Sequence, residues 1–126
     1  MDTKRKILII DDEPDILKVM KNRLESWGFE VFCWPTGVGA VKQVREVGPD
    51  LVILDIMLPD INGYDICYKI KSIPEISSTP VILATAKPEW QQDMGDIGRF
   101  AKADDYIPKP FESDVLLEKI NRLLGK

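Results

Sequence analysis

The chain has 126 residues, enough for one domain with a substantial apolar core. Apolar residues make up 44% and charged residues 30%, ordinary for a globular protein, and the net charge of −4 argues against a nucleic-acid surface on this chain. It contains no histidine, which excludes a Ser-His-Asp triad, a histidine-ligated metal and an internal phosphohistidine.

Met1 to Lys6 carries Lys4, Arg5 and Lys6, and the apolar run that follows is only Ile7 to Ile10. That is too short for a signal-peptide core or a membrane span, so the expected location is the cytoplasm. As a strand, the run ends in acids: Asp11, Asp12 and Glu13. Pro14 suits the first turn of a helix, with Glu13 or Asp12 in the capping region. Ile16, Leu17, Met20, Leu24 and Trp27 recur at helical spacing, and Gly28 closes the helix. Glu30 to Trp34 is a weakly alternating strand, followed by a Pro35-Thr36-Gly37 loop. Val38, Val41, Val44 and Val47 predict a short amphipathic helix, stopped by Gly48-Pro49. Leu51 to Leu54 is apolar throughout, as in a strand buried on both faces of a parallel sheet, and it stops at Asp55. Leu58-Pro59-Asp60 and Asn62-Gly63 then mark an exposed loop.

Tyr64, Ile66, Cys67, Ile70 and Ile73 fit a helix that fails at Pro74. Val81 to Ala84 is another buried strand, ending in Thr85. Between Pro88 and Ala103, the residues Trp90, Met94, Ile97 and Phe100 or Ala101 suggest a helix face. Gly95 and Gly98 predict that this helix is short or mobile, since each costs about 1 kcal/mol relative to Ala. Tyr106-Ile107-Pro108 is a short last strand before Lys109-Pro110-Phe111, and Val115, Leu116, Ile120, Leu123 and Leu124 make a closing helix. Cys33 and Cys67 lack metal-ligand spacing and are expected to be reduced core thiols.

Five strands alternating with five helices give a (βα)5 α/β fold: a doubly wound parallel sheet with right-handed crossovers and helices on both faces. Four strands deliver polar groups at their carboxyl ends: Asp11 and Asp12, Asp55, Thr85, and Lys109. In such a sheet these ends converge on one crevice. Three crowded carboxylates repel one another and would raise at least one pKa. A hard divalent cation relieves that conflict, and Mg²⁺ prefers one or two carboxylates with waters and a phosphate oxygen. One carboxylate is then free to attack phosphorus and form an acyl phosphate. Lys109 would balance the phosphoryl charge and the Thr85 hydroxyl would donate to a phosphoryl oxygen.

Over nearly its whole length the chain resembles the receiver domains of two-component response regulators. The resemblance rests on Asp11-Asp12, on Asp55 with Met57, Pro59 and Gly63 at their usual offsets, on Thr85-Ala86, and on the run from Asp105 to Phe111. It implies a flavodoxin-like fold with strand order 2-1-3-4-5. It also implies that Asp55 accepts the phosphoryl group, that Asp12 and the Met57 carbonyl ligate Mg²⁺ directly, and that Asp11 acts mainly through water. Thr85 and Lys109 resemble the phosphoryl-sensing pair, Tyr106 the aromatic switch, and Lys109–Pro110 the family's cis peptide. In one departure, Lys102 precedes Ala103 where the family often has Gly-Ala.

The function so implied is a signalling module. It takes phosphate from a histidine kinase, a histidine phosphotransfer protein or a small acyl phosphate, and it catalyses only its own phosphorylation and dephosphorylation. Its readout face would be the fourth helix, fifth strand and fifth helix, offered to a downstream protein, a fused output domain or a second copy of itself. No nucleic-acid or membrane contact is expected of this domain. Met57 and Lys87, each two residues beyond a site residue, are expected to flank the phosphoryl group and tune its hydrolysis. Residues 1–126 read as one receiver domain with no output domain. Two other functions compete: a degenerate receiver that binds partners without phosphorylation, against which the intact acids stand, and an aspartate-nucleophile phosphatase. Those phosphatases usually carry a second acid two residues after the nucleophile, where this chain has Met57.

Overall fold

The computed structural model describes residues 4–86 and 102–125. Lys87 and residues 88–101 of the stretch from Pro88 to Ala103, where a helix is expected, lie outside the described residues. Five parallel strands form one sheet: β1 (Lys6–Ile10), β2 (Glu30–Trp34), β3 (Leu51–Asp55), β4 (Val81–Thr85) and β5 (Asp105–Pro108), in the order β2-β1-β3-β4-β5. Helices α1 (Pro14–Ser26), α2 (Ala40–Val47), α3 (Gly63–Ser72) and α4 (Ser113–Leu123) complete the described elements, α4 being the fifth helix of the sequence pattern.

The apolar runs become strands because both faces of the sheet are covered, so every position is apolar rather than every second one. All five residues of β3 and all five of β4 are buried. Alternate side chains enter two separate cores. Leu8, Ile10, Val52, Leu54 and Leu83 meet Ala40, Val44, Ile66 and Ile70 from α2 and α3. Ile7, Ile9, Leu51, Ile53 and Ile82 meet Met20, Leu24, Leu116 and Ile120 from α1 and α4. Both cysteines are free thiols; Cys67 is buried, and burial pushes its pKa up to about 12.

Trp27 stands at the C-cap of α1 and packs, with Ile16 and Leu17, against the same core as the helix's apolar face. One local expectation is corrected. Val38 is not on α2: it sits in the preceding turn, 62% exposed, and the helix begins at Ala40. The valine periodicity ran two residues too far because Gly39 takes a left-handed conformation that ends any helix pattern upstream.

Lys102 also lies in the left-handed region, at φ 62°. An L side chain pays roughly 1–2 kcal/mol there, which gives the Lys-for-Gly departure a physical meaning. Lys102→Gly should therefore stabilise the fold, by up to about 1 kcal/mol after the extra unfolded-state freedom of glycine is subtracted, and raise the thermal midpoint accordingly. Thermal unfolding by circular dichroism checks this, and an unchanged or lower midpoint would refute it.

Candidate functional site

The carboxyl ends of β1, β3, β4 and β5 meet along one edge of the sheet, as in-register pairing requires. Ile10 pairs with Leu54, Asp55 with Ala84, and Thr85 with Pro108, so residues 11, 55, 85 and 109 emerge side by side. Asp11 and Asp55 are 2% and 4% exposed, and Thr85 is fully buried. Burying two carboxylates requires a counter-charge, and Lys109 supplies one. Its Nζ donates to Asp11 Oδ2 at 2.6 Å and lies 3.3 Å from Asp55 Oδ2 and 3.8 Å from Glu13 Oε1. Lys109 N donates to Thr85 O at 2.7 Å, and the Lys109–Pro110 peptide is cis.

Burial raises the pKa of Asp55, the Met57 N–H and Lys109 oppose that rise, and the charge of Asp11 adds to it. The expected direction is therefore right, but repulsion between acids is the lesser cause and desolvation the greater. Burial works against the Lys109 ammonium, but the hydrogen bond and charge of Asp11, then those of Asp55, outweigh it and raise its pKa.

The loop after Asp55 turns back at once. Met57 N donates to Asp55 Oδ1 at 3.1 Å, Gly63 N donates to Ile56 O at 2.9 Å, and Asn62 Oδ1 caps α3 by accepting from Tyr64 N at 2.7 Å. Gly63 packs against the site's own backbone: a Cβ there would fall 2.4 Å from Asp55 O and 2.6 Å from Ile56 Cα. Neither obstacle is a movable side chain. Gly63→Ala should cost about 1–3 kcal/mol or more and shift Asp55, measurable as a lower denaturation midpoint.

Sequence reasoning missed two residues. Glu13 belongs with the acids rather than serving only as a cap: one carboxylate oxygen each from Asp11, Asp12, Glu13 and Asp55 lie within 4.8 Å of one another. Glu13 is the N-cap residue of α1 without a side-chain cap bond, and its N–H donates to Asp11 Oδ1 at 2.9 Å. Its adjacency to Asp11-Asp12 was the available signal. Asp60 is not a free loop residue. Its carboxylate accepts from Thr36 Oγ1 (2.6 Å), Gly37 N (3.1 Å) and Val38 N (2.9 Å). The Thr36 hydroxyl, followed by those amides, holds its pKa down at about 2, against a desolvation that raises it. A depressed carboxyl pKa stabilises the fold above the ordinary value of 3.8, and that contribution is lost as pH falls through about 2. Carboxyl carbon shifts followed by NMR should show Asp60 titrating near 2 and moving toward 3.8 in Thr36→Val.

Tyr106 is half-buried in β5 and packs against the core that contains Tyr64 and Cys67. Its neighbours Asp104 and Asp105 are taken up internally. Asp104 binds Lys71 and the Val81 N–H, and Asp105 binds Lys119 and Arg122 of α4.

Residues 7–121 match the family model described as the response regulator receiver domain. The chain belongs to that family. As a receiver it is a phosphorylation-controlled signalling module of two-component systems. It is 36% identical over 127 residues to the DNA-binding response regulator MtrA of Mycolicibacterium smegmatis, covering all of this chain and 54% of that protein. The receiver thus spans about half the length of the curated relatives it matches. Among solved structures it is similar to a CheY-like response regulator receiver domain protein from Methanospirillum hungatei, with TM-score 0.88, 30% identity and 98% and 95% of the two chains covered. It is also similar to the receiver domain of a sensor histidine kinase from Pseudomonas aeruginosa, with TM-score 0.86, 27% identity and 98% and 100% covered. That structure has a magnesium ion coordinated in its active site cleft.

The donor set here suits the same kind of ion. Four carboxylates face one ammonium, all donors are hard oxygens, and the excess negative charge calls for a cation. Among the described residues no helix is long and apolar enough to cross a membrane.

Proposed function

We propose that this receiver is phosphorylated on Asp55 in a Mg²⁺-dependent reaction and that the phosphoryl group resets its β5–α4 face. The observation that carries the reading is the buried pair of carboxylates, Asp11 and Asp55, bridged by Lys109 at the sheet edge. Asp12, Asp55 and the Met57 carbonyl would hold the ion directly, with Asp11 acting through water. When bound, the ion supplies positive charge to the oxygens of a phosphoryl donor.

The chain's own residues do the rest. An Asp55 Oδ attacks phosphorus, forming the Asp55 O–P bond as the bond from phosphorus to the donor's imidazole nitrogen or carboxylate oxygen breaks. The leaving group departs with the bonding electron pair. The Met57 N–H, already on Asp55 Oδ1, and the Lys109 ammonium keep Asp55 in its carboxylate form for that attack. Afterwards Lys109 and the Thr85 hydroxyl donate to the phosphoryl oxygens, and Tyr106 follows Thr85 inward. Such charge-assisted bonds must supply about 5.5 kcal/mol to move a population from 1:99 to 99:1.

The donor would be a histidine kinase or a histidine phosphotransfer protein. A groove of about 310 Å³ between α1 and α4, lined by Ile16, Val19, Met20, Phe111 and Leu116, opens beside Lys109 and offers it an apolar seat. The reader would be a downstream protein, a fused output domain or, through the face of β5 and its flanking helices, a second phosphorylated copy. Catalysis would be limited to the chain's own phosphorylation and dephosphorylation. Incubation with acetyl phosphate and Mg²⁺ should add one phosphoryl mass to the intact protein, and no adduct on the wild type would overturn the reading.

A further inference from the structure

The loop that follows Asp55 is held from outside as well as from within. At its inner end Met57 N–H donates to Asp55 Oδ1. At its outer end the Asp60 carboxylate takes the Thr36 hydroxyl and the Gly37 and Val38 N–H groups. The two segments touch so closely that a Cβ on Gly37 would lie 2.9 Å from Ile61 Cβ and 3.0 Å from Asp60 Oδ1. The turn is anchored in its own right. Trp34 Nε1 donates to Val38 O at 2.8 Å, and Asp11 N donates to Trp34 O at 3.1 Å. Asp11, Trp34, Val38, Asp60 and the loop back to Asp55 therefore form a closed bracket. It joins the two chain segments that face each other across the acidic cleft.

We propose that Asp60 is a positioning residue for the acceptor site: by tying the Met57–Asn62 loop to the Thr36–Val38 turn, it fixes where the Met57 carbonyl and N–H stand relative to Asp55 and Asp11. The inference rests on the reading of Asp55 and Met57 given above. The loop's polar backbone atoms cannot reach the cleft correctly if its outer end is loose. Groups that orient ligands from behind commonly control metal affinity more than their own distance from the ion suggests.

The test is titration calorimetry of the unphosphorylated full chain with Mg²⁺ for wild type, Asp60→Ala, Asp60→Asn and Thr36→Val, with thermal unfolding recorded for each. Asp60→Ala should weaken Mg²⁺ binding about tenfold, the low end of such orienting effects. Asp60→Asn, which keeps one acceptor oxygen, should recover part of the loss. Thr36→Val should weaken binding in the wild-type background and add nothing to Asp60→Ala. Thr36→Val also serves if Asp60→Ala does not fold. A lowered midpoint with Mg²⁺ affinity within about twofold of wild type would make Asp60 merely structural and overturn the proposal. Acetyl phosphate labelling of the wild type separates the two readings. Labelling with unchanged Mg²⁺ affinity in the variants refutes only the role of Asp60. Absent labelling with weakened affinity refutes only phosphorylation at Asp55. A wild type that binds no Mg²⁺ overturns both.

Discussion

Lys109→Met should destabilise the metal-free receiver at neutral pH by about 3–5 kcal/mol, the usual cost of removing one partner from a buried ion pair. The Lys109 side chain is 7% exposed and those of Asp11 and Asp55 are 3% and 5% exposed, so water cannot replace the ammonium. Methionine keeps most of the volume, which isolates the loss of charge from the loss of packing. Two further outcomes distinguish this from a general packing defect. Mg²⁺ should restore much of the lost stability, because it supplies the missing positive charge to the same carboxylates. Adding Asp55→Asn should restore part of it as well, since one of the uncompensated charges is then gone. Phosphorylation by acetyl phosphate should slow about ten- to a hundredfold, the equivalent of one hydrogen bond to a charged group at about 1.5–3 kcal/mol. The pH dependence has a definite sign. Lys109 has its pKa raised above 10.5, so its stabilising contribution is complete below that value and is lost as pH rises through the higher folded pKa. The stability difference between wild type and Lys109→Met should therefore be full at neutral pH and shrink as pH rises above 10.5. Guanidinium titrations with and without Mg²⁺ measure all of this, and a loss below about 1 kcal/mol would show that the ammonium is not the counter-charge.

Asp55→Asn should abolish the phosphoryl adduct and at the same time stabilise the metal-free fold. The first effect follows from removing the only group assigned as nucleophile. The second follows from the environment. Burial raises the pKa of Asp55, so its ionised form is less stable in the fold than in the unfolded chain, and the penalty grows as pH rises through the folded pKa. Asparagine keeps an oxygen for the Met57 N–H, at 3.1 Å in the native chain, without the charge. For a domain of this size, each 1 kcal/mol gained should raise the midpoint by roughly 3–6 °C. The gain should shrink below the ordinary carboxylate range, where Asp55 is protonated in either state, and should shrink again in Mg²⁺. An adduct of the same mass on Asp55→Asn would remove Asp55 from its role. A midpoint below wild type at neutral pH would remove the account of its environment.

The elements that sequence made legible are those where one force dominates. Ile7–Ile10, Leu51–Leu54 and Val81–Ala84 are continuous apolar runs because helices cover both faces, and all three became central strands. The site was legible for a related reason: parallel strands in register bring their last residues to one edge, so residues at four run ends must meet. Features that depend on distant partners were not legible. The Asp60 clamp joins residues 22–24 positions apart through an exposed carboxylate, which local patterning cannot distinguish from an ordinary polar loop. The Val38 error came from periodicity alone, which is blind to the left-handed Gly39. Glu13 was assigned to capping because a helix start explains an acid before proline equally well. The dominant cause of the Asp55 pKa was misjudged because charge is visible in a sequence and burial is not.

The Lys109–Asp11 contact closes a loop of 98 residues, and Asp55 lies between its ends in sequence. Contacts at that separation are slow to form, since chain closure precedes the contacts that reward it. The acidic cleft is therefore incomplete until β5 has joined the sheet. A nascent chain can hold β1 and β3 with the carboxylates at their ends, yet it lacks the ammonium that makes them tolerable together until residue 109 has left the ribosome. A complete cleft thus reports that β5 and Lys109 have been made and folded into the sheet. A kinase that requires the finished cleft would pass no signal to an unfinished receiver.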